Sequence, residues 1–338
     1  SLTATAGSIG SLADSLDLSV NTITKAAAKR GVYLTNNKAT LVSSATATNG
    51  AIVLSTPFAV TVNQMQANGT GGSVTIAATN LVVGPVAMPT PLLKTSGVAN
   101  LTSVTGVVSL ENGGLIVAAG GITLKPIGAI NWVVNTNPTG PGSPGEVITA
   151  VNATGTKATI SLPSNTTLIL PSVLPAVTVP INFRGTNLII NGSSIASTTA
   201  IGLQLLAGAS GSVISGVTFT GFRGTGVSLI GTQNTAISNI VVNGGSTGIA
   251  VSGTLTGSSV RGSTFNNNST GISLVSAVGI TVGGTLAGQA NTINGAITVG
   301  VFASGFCNNS SVVKTVFVNV PTAKKYNVTG SRYLRVIQ

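Results

Sequence analysis

Asp14, Asp17, Glu111 and Glu146 are the only carboxylates in this sequence, and it has no histidine. General acid–base chemistry or binding of a hard cation would fall to these four, because both need oxygen ligands or paired titratable groups held close together. Asp14 and Asp17 are the one close pair. Two acids three positions apart read more plainly as a solvated turn than as a shared cation site, and no carboxylate falls between 150 and 310. Zinc and haem chemistry lack ligands, since the one cysteine, Cys307, has no partner for a disulfide and reads as a small buried hydrophobe. Gly69-Thr70-Gly71-Gly72 has the composition of a phosphate loop but not the Lys-Ser/Thr and helix that must follow, so it reads as a turn. No catalytic residue, cofactor or metal is assigned, and the chain is expected not to be an enzyme.

The remaining charge is one-sided, with 15 Lys and Arg against 4 acids and a net charge of +11. The basic residues are spread thinly, without a dense stripe or interleaved aromatics, which argues against nucleic acid and leaves an acidic polysaccharide or a polyanionic cell surface as the expected anionic partner. Five of them, Lys314, Lys324, Lys325, Arg332 and Arg335, crowd into the last 27 positions. Charged residues make up 6% of the chain, against about 25% in an average domain. The surface must therefore be Ser, Thr, Asn and Gly, with little to keep neighbouring molecules apart. No apolar run reaches the ~18 residues of a membrane span. Ser1 opens the sequence without a basic leader or apolar signal core, so an export signal is expected to have been removed or to lie outside these residues.

The elements that position these residues repeat. Thr225-Gly226-Val227-Ser228-Leu229, Thr247-Gly248-Ile249-Ala250-Val251 and Thr270-Gly271-Ile272-Ser273-Leu274 restate Ile201-Gly202-Leu203-Gln204-Leu205, with the glycines 24, 22 and 23 residues apart. A second phase, at Ser215, Ser238 and Arg261, keeps a step of 23. Each segment alternates apolar and small polar residues over four to six positions, and Gly, Asn and Ser punctuate the joins. Two or three short strands per ~23-residue coil describe an all-β parallel β-helix; a propeller blade would need roughly 40 to 50 residues. Inward aliphatic side chains then stack coil on coil at ~4.8 Å.

The alternation begins early, in Leu2–Gly10, Leu16–Thr24 and Gly31–Asn36. The alanines of Lys25–Arg30 form the only stretch of helix-forming composition, which β-rich flanks are expected to override. In that order, "LTATAGSIG", "LDLSVNTIT" and "GVYLTNN" resemble the repeats of large secreted bacterial surface proteins of the filamentous-haemagglutinin type. Irregular repeats run over 1–135, interrupted by a Pro-containing insertion at 84–91 that cannot sit inside a ladder. The stretch 136–150, with Asn137-Pro138-Thr139-Gly140-Pro141-Gly142-Ser143-Pro144-Gly145 at its head, reads as a loop or boundary. The regular coils, 151–310, resemble the right-handed β-helix repeats of bacterial exported proteins. The resemblance, and not the period, implies the right hand. Residues 311–338 form basic closing strands. Polysaccharide lyases and pectin-degrading hydrolases share this fold, so a lyase-like enzyme is a minor alternative, against which the missing carboxylates stand.

Neither terminus offers a capping helix, and the sequence opens and closes in strand-like segments. Open solenoid ends stack head to tail unless something covers them. The expected function is therefore a secreted structural subunit of a bacterial fibre or surface appendage, serving adhesion, stalk or matrix, with itself as principal partner. Leu2, Asp14 and Asp17 would meet Lys324, Lys325, Arg332, Tyr333 and Arg335 across the junction. The alternative is a glycan- or surface-binding passenger of an adhesin or phage-type fibre, which needs exposed aromatics from a supply of one Trp132 and three tyrosines, Tyr33, Tyr326 and Tyr333.

Overall fold

The computed structural model describes residues 1–338 apart from 85–91, 105–107, 112–113, 121, 126–129, 141, 156, 328–333 and 338. The insertion expected at 84–91 thus lies, but for Gly84, outside the described residues. Short strands dominate, paired in parallel with strands of the neighbouring coils. The chain forms two compact units, residues 1–135 with 140–142, and 136–139 with 143–338.

The first unit is a three-sided coil. One ladder stacks Leu2–Ala4, Ala26–Ala28, Ala45–Ala47, Gln64–Ala67, Leu92–Thr95 and Leu115–Ala118. A second stacks Leu16–Leu18, Val32–Asn36, Ile52–Ser55, Val74–Ala78, Ala99–Ser103 and Ile122–Lys125. The third runs through Thr22–Ile23, Thr40–Val42, Val60–Val62, Leu81–Val83, Val108–Leu110 and Ile130–Val133. Alternate residues point inward, so like sits on like: Leu34, Leu54, Ile76 and Leu101 succeed one another in register and are buried. Each such side chain contributes about 1.5–3 kcal/mol on leaving water. The lysine-flanked alanines form a strand, with Ala26 and Ala28 buried between Leu2 and Ala4 on one side and Ala45 and Ala47 on the other.

The second unit repeats more regularly. One ladder stacks Ile201–Leu205, Thr225–Ile230, Thr247–Thr254, Thr270–Val278, Val299–Ser304 and Lys324–Asn327. The other two sides start as separate strands, Ala158–Ser161 and Thr166–Ile169, which stack on the two halves of one bent strand, Ile181–Asn191, whose register against Val213–Thr220 shifts between Arg184 and Leu188. From Ala236 onward they are separate strands, Ala236–Ser238 and Val241–Asn243 stacking on Ser259–Arg261 and Thr264–Asn266. The inward column Leu203, Val227, Ile249, Ile272 and Val301 is wholly buried.

The structure gives the recurrent Thr-Gly pair a physical reason. Gly202, Gly226, Gly248, Gly271 and Gly300 form a column against the side chains of Phe219, Val242, Phe265, Ile293 and Phe317. A Cβ on Gly248 would stand 2.5 Å from the Gly271 carbonyl oxygen and 2.6 Å from the Phe265 ring. Only hydrogen fits there, so glycine is fixed by sterics and the large residue opposite occupies the space it leaves.

Corners carry a second column, of left-handed backbone: Gly221, Gly244, Asn267, Gly295 and Asn319. Asparagine tolerates this region and other side chains seldom do, which explains the alternation of Gly and Asn. Buried polar side chains satisfy the corner backbone. The Asn268 amide accepts from Gly245 N–H and donates to Val242 C=O, and Asn291 does the same for Ser263 and Val260.

One element was not foreseen. Where the sequence suggests loop up to 150 and coil beyond, Pro144–Thr154 is an α-helix, α1. Its start has Pro144 in the first turn and Glu146 beside the N-terminal dipole, and Gly155 closes it at φ 65°. Val147, Ile148 and Val151 are buried. Asn152 donates to Ala176 C=O at 2.7 Å and accepts from Thr178 N–H at 2.9 Å. Val177, between them, pairs with the following coil through Gln204 C=O and Leu206 N–H. Asn152 therefore supplies to the outer edge of this segment the pair of bonds a further strand would make.

Candidate assembly surfaces

The expected junction residues fall into two sets, one on each unit. Leu2 is half-buried in the outer rung of the first unit, in register with Ala26. Asp14 is exposed in a loop closed by reciprocal bonds with Ser11, from Ser11 N–H to Asp14 C=O at 2.8 Å and from Asp14 N–H to Ser11 Oγ at 2.9 Å. Asp17 is exposed in register with Thr35. Asp17 thus lies in the second ladder of the outermost coil and Asp14 just before it. Among the described residues, the three strands of this coil have ladder partners on one side only.

On the second unit, Lys324 and Lys325 lie in the strand paired with Val301 and Phe302. Arg335 is exposed, in register with Ser311. Arg332 and Tyr333 lie outside the described residues. Val316–Val318, Lys324–Asn327 and Arg335–Ile337 make the outermost described rung. Its register sets Lys324 at the end of the column Leu203, Val227, Ile249, Ile272 and Val301. An otherwise aliphatic series thus closes with a lysine.

Other groups able to do chemistry stand apart. Glu146 is exposed in the first turn of α1, and Glu111 is half-buried at a corner of the first unit. Cys307 is buried, its thiol facing Ser304 C=O at 3.5 Å. Trp132 is 3% exposed and lies in register with the inward Leu110, so it gives no platform for a sugar. The run Asn266-Asn267-Asn268 reads in the sequence as closing a coil, but the bonding of Asn291 and Asn152, whose partners are 24 or more positions away, leaves no signal there.

Residues 178–287 match the family model described as a right-handed β-helix region. The match covers part of the second unit, up to residue 287, and with the ladders above it defines the class of the fold as a right-handed parallel β-helix. No curated protein and no solved structure matches the chain.

Proposed function

We propose that this chain is a non-catalytic structural subunit of a secreted bacterial fibre or surface appendage, extended by head-to-tail stacking of β-helical coils and serving adhesion, stalk or matrix. One observation supports the reading: among the described residues, the three strands of the outer rung of the first unit have ladder partners on one side only. Leu16 is 37% exposed there, while Leu34, the next residue of its column, is 3% exposed. A further coil laid on this rung covers the leucines and pairs the free edges of three strands, which supplies apolar and ladder energy together. In this reading a second copy supplies that coil, and a contact repeated without closure makes a filament. Electron microscopy and sedimentation of the purified chain test this: unbranched filaments are expected, and monodisperse monomers at high concentration would overturn it.

A further inference from the structure

The acid–base pairing expected across the junction leaves out the second coil. Lys25 sits at the corner before Ala26–Ala28, Lys29 and Arg30 at the corner before Val32–Asn36, and Lys38 at the corner before Thr40–Val42. All four are exposed, so every corner of this coil carries a cation. Residues 1–43 hold these four bases against Asp14 and Asp17, a net +2, and residues 314–338 hold five bases and no acid, a net +5. Successive coils are ~4.8 Å apart and the Debye length is ~10 Å at 0.1 M salt. An approaching end therefore senses the aspartates and the cationic collar together, and the sum is repulsive.

We infer that end-to-end stacking is gated by charge, and that an acidic polysaccharide at the junction opens the gate. The inference rests on the stacking reading and adds its partner. A polyanion neutralises the cationic collar and the basic closing stretch at once, which no pairing among the chain's own residues does, since the chain has only 4 acids. A sugar acid fits better than single-stranded nucleic acid, because residues 1–43, which carry the collar, hold a single aromatic residue, Tyr33, and the closing stretch adds only Phe317, Tyr326 and Tyr333, whereas bases need rings to stack on.

Assembly of the full chain, followed by light scattering and microscopy, tests this in 10 mM NaCl, in 500 mM NaCl, and in 10 mM NaCl with polygalacturonate or neutral dextran. Assembly is expected to be slow in 10 mM NaCl and roughly tenfold or more faster in 500 mM, as screening removes the repulsion. Polygalacturonate at low salt also triggers it and sediments with the filaments, and dextran does neither. K29Q/R30Q, checked for its β circular dichroism, assembles in 10 mM NaCl with wider tolerance than the parent chain. Unaided assembly that is fastest in 10 mM NaCl would keep stacking and sink the gate. Monomers in all conditions would sink both, and a DNA fragment acting as well as polygalacturonate would remove the sugar acid as partner.

Discussion

Gly248 and Gly244 stand four positions apart and have opposite tolerances. The first is pressed between the Gly271 carbonyl and the Phe265 ring, and the second has φ 75° with open space where a methyl group would point. Gly248→Ala is expected to lower stability by about 1–3 kcal/mol in urea unfolding, as over-packed cores do. Gly244→Asn is expected to change it by less than about 1 kcal/mol, because Asn267 occupies the same column at φ 53°. Equal costs would mean that the glycine column answers to backbone conformation and not to the ring opposite. Asn152→Ala leaves Ala176 C=O and Thr178 N–H without their partner. A loss of about 1–3 kcal/mol and faster hydrogen exchange at the Thr178 amide are the expected results.

At the scale of elements, the coils were legible because each is a local pattern repeated. The Thr-Gly pair followed by alternating aliphatics states both the strand and the point where it passes its large neighbour. The helix was harder to see because Pro138, Pro141 and Pro144 among the glycines mask its start, yet its signals were present. Pro144 opens it, Glu146 follows in the first turn, Val147, Ile148 and Val151 recur at helical spacing, and Gly155 ends it. The junction residues were legible only in part. Sequence drew attention to Asp14 and Asp17, whereas the placement of Lys25, Lys29, Arg30 and Lys38 at the corners of one coil emerges only from the ladder register. The bonds of Asn152 were out of reach for the same reason, since a contact spanning 24 and 26 positions leaves no local trace.

At the scale of the molecule, the second unit holds its own aliphatic columns, corner amides and helix. Residues 143–338 expressed alone are therefore expected to give a β-rich circular dichroism spectrum and one cooperative urea transition. A fragment without that transition would show that its core needs the first unit.

The glycine column has a consequence for inheritance. Every member meets a large side chain from its own turn, Gly226 with Val242, Gly248 with Phe265 and Gly271 with Ile293, so lock and key travel on the same stretch of gene. Excising residues 247–269 would join Ser246 to Thr270, whose N–H already reaches the Ser246 carbonyl at 2.9 Å. The shortened protein is expected to remain folded, with a melting temperature within a few degrees of the parent, whereas removing half that length would scramble the alignment. Duplication and loss of whole turns can then lengthen or trim the second unit without redesigning the turns that remain.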